Sequence, residues 1–176
     1  MLTLDGLKQT ITLTPDEYDR YYADTAVDPN DLFDDGDILT ARTEGGALPS
    51  LTFSTQGVAP LEIENAIVDL QADTPVTIEW TPADPDSRIQ VALISGSHDP
   101  NPLTATIICD TPDSDGQITI PAGLITGFLN ESCGMGKMKC SRITRYTRDV
   151  QTNNGKEIEF FVGSARNIQQ NLLPEY

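Results

Sequence analysis

Residues 109–125 read CDTPDSDGQITIPAGLI, and whether their acidic centre holds an ion or turns the chain decides what the flanking segments are. Set against the EF-hand loop, D-x-[DN]-x-[DN]-G with a bidentate Glu at the twelfth place, Gly116 takes the sixth position and Asp113 and Asp115 the third and fifth. The first and twelfth positions are Thr111 and Ala122, so the ligands that open and close such a loop are missing. The flanks LTATIIC and QITIPA are β-branched runs, which favour strands over helices. Asp115-Gly116 between them therefore reads as a hairpin turn, with Gly supplying a positive φ at no steric cost.

Working outward, strand signals recur at the spacing of a sandwich. QTITLT (9–14) alternates and is stopped by Pro15, and PDEYDRYYAD then reads as a short helix or an irregular polar excursion. DPNDLFDDGD (28–37) is a loop, followed by the strand signals DILTART (37–43), LTFST and PLEIE. VTIEWTP (76–82) and RIQVALIS (88–95), joined by the turn residues ADPDS, form the clearest pair. PAGLITGFL (121–129) reads as a short helical turn opened by Pro. In TNNGK, between RITRYTRDV and EIEFFVGS, Asn154-Gly155 is the strongest short hairpin signal. No long amphipathic helix interrupts the series. The expected fold is all-β: an antiparallel two-sheet β-sandwich, Ig-like or jelly-roll-like, with short helical turns. It is expected as a single domain over 1–176, with 1–37 an acidic N-terminal strand and excursion and 38–176 the sandwich body. Trp80 shares one strand face with Val76 and Ile78, which places it in the core rather than on an open sugar-stacking surface.

Composition narrows the function. A formal charge of −16 repels nucleic acid and anionic lipid. No run of about 18 apolar residues is present to span a membrane. The start, MLTLDGLKQT, lacks the basic and apolar regions of a signal peptide, which leaves a cytosolic protein or a piece of an exported one. Cys133 and Cys140 bracket GMGKMK, whose glycines allow the chain to fold back into a disulfide, leaving Cys109 as a small buried hydrophobe. A zinc site wants CxxC spacing or several histidines, and the only histidine is His98. A Ser or Cys triad has little to stand on, and GMGKMKC lacks the ending of a phosphate loop. No enzyme is expected. A calcium ion, if one binds, is expected at Asp28, Asn30, Asp31, Asp34, Asp35 and Asp37, whose side-chain oxygens suit that ion's six to eight ligands. No other cofactor is expected.

Two features suggest an interaction surface. Tyr18, Tyr21 and Tyr22 form an aromatic group, read either as an exposed surface or as a cover over one sandwich edge. Acids crowd residues 1–37, whereas 137–148 hold Lys137, Lys139, Arg142, Arg145 and Arg148 and no acid. Opposite blocks of this kind meet within one fold or between copies.

The order VTIEWTPADPDSRIQVAL, IICD, DSDGQITIPAGLI resembles an Ig-like sandwich domain of exported and lipid-anchored surface proteins in myxobacteria-like bacteria. The resemblance rests on a W-[ST]-P strand, a strand ending in Cys and a D-x-D-G-x-[FI]-x-[IV]-P-A turn, in that sequence, and it carries no catalytic residues. It implies an extracellular or outer-surface location and a non-catalytic structural or binding role. The alternatives are a self-assembling subunit of an extracellular array or fibre and a carbohydrate-binding module. The expected partners are accordingly another copy or a surface polysaccharide or protein.

Overall fold

Alternation at period two dominates the chain, and strands follow from it. The structure, a computed structural model, describes residues 1–15, 21–23, 32–45, 50–64, 66–95, 105–131 and 141–172, with the backbone alone for 15, 21–23 and 172. In chain order its elements are β1 (Leu2–Asp5), β2 (Ile11–Pro15), β3 (Tyr21–Ala23), β4 (Ile38–Glu44), β5 (Ser50–Gln56), β6 (Ile67–Leu70) and β7 (Val76–Glu79). They continue with β8 (Arg88–Ile94), β9 (Thr106–Pro112), β10 (Gln117–Ile120), α1 (Ala122–Glu131), β11 (Arg142–Asn153), β12 (Lys156–Asn167) and β13 (Gln169–Leu172). The fold is all-β and sandwich-like. It divides into two compact units, Met1–Ala59 with Tyr146–Gly163 and Pro60–Arg145 with Ser164–Tyr176, so that β11 and β12 contribute to both.

The first unit contains a five-stranded sheet in the order β3-β2-β1-β4-β5, with every neighbouring pair antiparallel. Ile11, Leu39, Ala41 and Phe53 are buried on one face, while Thr12, Arg42, Thr52 and Ser54 are exposed on the other. The register keeps those faces continuous, pairing Leu4 with Ile11 and with Ala41, and Ala41 with Phe53. Gly6 turns the chain out of β1 at φ +84°, and a Cβ there would land on the Ile38 carbonyl oxygen, so only glycine fits. Phe53 meets Phe160 at 6.3 Å between ring centroids, and Tyr146 stacks on Phe161 at 4.6 Å. Tyr21–Ala23, expected in a helix or excursion, is instead an edge strand, with Tyr22 opposite Thr14. The expected hairpin at Asn154-Gly155 is present: both residues have positive φ, 51° and 74°, as a type I′ turn requires.

The second unit packs the β7–β10 pair and the β6–β13 pair against strands of the sheet β12-β11-β8-β9. One apolar cluster joins them, including Leu70, Ile78, Trp80, Ile89, Val91, Leu93, Ile120, Ile125 and Ile143. Trp80 lies inside, 5 % exposed, as its alternation with Val76 and Ile78 predicts. Pro121 caps α1, its carbonyl accepting from Leu124 N–H at 3.0 Å and Ile125 N–H at 3.2 Å, and the helix buries Ile125 and Phe128.

Two expected pairings are corrected. The strands at 76–79 and 88–94 exist, but β7 pairs with β10 and β8 with β9, so neither expected hairpin forms. The reason lies in the connections. Residues 83–87 spend backbone groups on Asp113 and on one another, and Thr81 N–H goes to Glu62 O, rather than closing a ladder with β8. The Asp113–Asp115 3-10 turn ends in Gly116 at φ +69°, whose carbonyl takes the Trp80 N–H at 3.0 Å and so aligns β10 with β7. PLEIE is also not a strand. Its backbone is held by side chains: Ser164 Oγ accepts from Leu61 N–H at 3.0 Å, and Arg166 Nε donates to Leu61 O at 3.2 Å.

Candidate functional site

The charged group most deeply embedded in the second unit comes from RITRYTR, where period two aims Ile143 and Arg145 to the same side of β11. Ile143 belongs to the core, so Arg145 is carried inward with it, and it is 1 % exposed. Such a guanidinium requires a counter-ion and filled donors, since an unpaired buried charge costs several kcal/mol. Asp113, fully buried, supplies the charge: Arg145 Nε and Nη2 each donate to its Oδ1 at 3.1 Å. Arg145 Nη1 donates to Pro60 O at 2.9 Å, and Nη2 also donates to Thr81 O.

Asp113 is saturated in its turn. Its Oδ2 accepts the N–H groups of Ala83 at 2.8 Å and Asp84 at 2.9 Å. Its backbone carbonyl accepts from Trp80 Nε1 at 2.9 Å and from Gly116 N–H at 3.2 Å, and its own N–H donates to Ser87 O at 3.1 Å. Among the described residues no buried side-chain nitrogen or oxygen lacks a partner. Chemically, this arrangement clamps. One ion pair and its hydrogen bonds tie the segment at Pro60, the β7–β8 connection and the β9–β10 turn to a single strand, and the charge-assisted bonds are the strong kind. The acidic stretch that resembled a calcium loop therefore places Asp113 in a scaffold, while Asp115 accepts from Thr111 Oγ1.

The same face of β11 continues with Thr147, Asp149 and Gln151, each half-buried in the first unit. Thr147 Oγ1 donates to Gln56 O, Asp149 Oδ2 accepts from Ser54 N–H at 3.0 Å, and Gln151 Nε2 donates to Thr52 O at 2.6 Å. These are side-chain bonds to the backbone of one strand, β5, at every second residue.

The other expected site residues are scattered. Asp34, Asp35 and Asp37 form a turn in which Asp37 Oδ2 accepts from Asp34 N–H at 2.8 Å and Lys8 Nζ pairs with Asp34 at 2.9 Å. Asp28, Asn30 and Asp31 lie outside the described residues, as do Tyr18, Lys137, Lys139, His98 and both cysteines of the expected disulfide, Cys133 and Cys140. Tyr21 and Tyr22 are placed by backbone only, in β3. Among the described residues, no three His, Cys, Asp or Glu side chains are grouped to hold a metal ion. Arg142 is exposed, and Arg148 pairs with Glu159 at 2.9 Å. Arg145 is the correction. As a core residue bound to Asp113 it takes no part in a surface patch, because alternation with Ile143 turns it inward. The sequence reading missed this clamp, although a charge on the apolar face of an alternating strand was the available signal.

No family model matches the chain, and the searches of curated proteins and of solved structures each returned no match.

Proposed function

We propose that this chain is a non-catalytic structural or binding module of an exported bacterial cell-surface protein. The observation that carries this reading is the fate of its most chemically endowed residues. Arg145, Asp113 and the ring N–H of Trp80 are sealed from solvent and committed to the scaffold, so the chain's strongest polar interactions serve shape. The strand arrangement of the second unit supports the Ig-like resemblance: a β7–β10 pair faces a sheet ordered β12-β11-β8-β9 across one core, as paired sheets do in immunoglobulin-type sandwiches. Domains of that type serve as spacers and binding platforms, which fits an acidic, turn-rich chain with a formal charge of −16. Its partners on this reading are neighbouring proteins or polysaccharides of the cell envelope.

The test is exposure on living cells. An antibody raised against the purified chain is expected to label intact cells of the source bacterium, and external protease is expected to remove that label. Labelling that requires lysis would overturn the surface assignment.

A further inference from the structure

Edge strands invite pairing with other chains, and proteins blunt them with lysine, proline, bulges or a cover. Among the described residues β5 is an edge of its sheet, and SLTFSTQ contains no charge and no proline. Its register with β4 runs unbroken from Ile38 opposite Gln56 to Glu44 opposite Ser50, so no bulge twists it away. In an antiparallel pair alternate residues direct their backbone groups to the same side. Gly57, just beyond β5, bonds back to Gly36 and Asp37, which leaves Ser50, Thr52, Ser54 and Gln56 as the residues whose N–H and C=O face outward, the last three along the middle and end of the strand. Thr147, Asp149 and Gln151 engage Gln56, Ser54 and Thr52 respectively.

We propose that this row of side chains is an edge guard: it occupies one outward backbone group at each of Thr52, Ser54 and Gln56 and so blocks antiparallel pairing of β5 with β5 of a second copy. Two observations favour a second copy as the excluded partner. An uncharged, regular seven-residue strand is self-complementary about a two-fold axis, the symmetry of most homodimers. The guard also supplies what a partner strand would supply, a donor to Thr52 O, an acceptor for Ser54 N–H and a donor to Gln56 O.

The experiment compares three variants with wild type by sedimentation over a range of concentrations. Asp149→Leu with Gln151→Leu removes two of the three bonds, and self-association at least about tenfold tighter than wild type is expected. Asp149→Asn retains an acceptor oxygen for Ser54 N–H and is expected to stay as monomeric as wild type. Thr52→Lys, added to the double leucine variant, charges the β5 edge and is expected to restore the monomer. A folded double variant no more associated than wild type overturns the proposal. Association of Asp149→Asn equal to the double variant overturns it too, because charge repulsion would then be the cause. Indifference to Thr52→Lys places the contact elsewhere and likewise overturns it. Should the double variant not fold, amide exchange in wild type decides. A Ser54 N–H that exchanges at the rate of an unstructured chain means that the edge is unguarded, and strong protection supports the guard.

Discussion

In the second unit the start of a segment with no ladder partner, Pro60–Glu64, is held at the Pro60 carbonyl by a guanidinium that is 1 % exposed; in the first, the edge of β5 is held by three side chains that are half-exposed. Both sets project from one face of β11, and both replace ladder hydrogen bonds with side chains. Their energetic weight differs because burial differs. A hydrogen bond in contact with water contributes about 1 kcal/mol net, since water competes for both partners. Removing one partner of a buried ion pair costs about 3–5 kcal/mol, because the other charge is stranded away from water. The same strand device is thus structural keystone or adjustable contact according to depth alone.

The largest expected effect breaks the deep clamp. Arg145→Met keeps most of the side-chain volume and leaves the Asp113 carboxylate facing the core with only its backbone donors. A loss of about 3–5 kcal/mol in unfolding free energy is expected. Trp80 reports it well, being the only tryptophan and bonded to the Asp113 carbonyl, so its fluorescence in urea follows this unit. Asp113→Asn combined with Arg145→Met is expected to cost less than the sum of the single changes, as coupled residues do. A single-variant loss below about 1 kcal/mol would reduce the clamp to the rank of the exposed bonds.

Next in size is a contrast between two glycines of the first unit. Both Gly6 and Gly155 have positive φ, +84° and +74°, so alanine at either incurs about 1–2 kcal/mol of backbone strain. A Cβ at Gly155 meets open space, whereas at Gly6 it meets the Ile38 carbonyl. Gly6→Ala is therefore expected to lower the thermal midpoint, followed by far-ultraviolet circular dichroism, distinctly more than Gly155→Ala. Equal shifts would contradict the close approach of β1's turn to β4. Smaller again is Thr147→Val, nearly isosteric and lacking only the hydroxyl that reaches Gln56 O. A loss of about 1 kcal/mol is expected, and none at all would remove the tie from the forces that hold the first unit.

How much of this was legible in the sequence follows from the range of each interaction. The Asn154-Gly155 turn was readable because two adjacent residues with positive φ determine it. Trp80's burial was readable because three alternating apolar residues determine it. Pairing partners were not, since the 3-10 turn that sends β10 to β7 and the capture of residues 80–87 by Asp113 are settled by contacts across tens of residues. β6 and β13 escaped notice because QQNL has weak strand propensity and a parallel partner about a hundred residues away leaves no local signal. Asp113 read as part of an acidic turn, and only Arg145, 32 residues on, makes it a core residue.

The smallest effect tests the boundary between deep and shallow inside a single strand. On β9, Ile107 is 8 % exposed, Ile108 is 63 % exposed and Cys109 lies between them in exposure, packed on the edge of the core cluster opposite Val91. Burial disfavours the thiolate and pushes the Cys109 pKa above its ordinary value. The sign follows from linkage. With the folded-state value raised, the stabilising contribution is complete below the unfolded-state value and is lost as pH rises through the folded one. Alkylation should show the same shift directly, because only the thiolate attacks. In a chain carrying Cys133→Ser and Cys140→Ser, iodoacetamide is expected to modify Cys109 more slowly when folded than in urea. The pH profile of the folded rate should rise at more alkaline pH than that of the unfolded rate. Coincident profiles would mean that the Cys109 sulfur is as wet as the Ile108 side chain beside it, and the edge of the core would have to be drawn two residues earlier on β9, at Ile107.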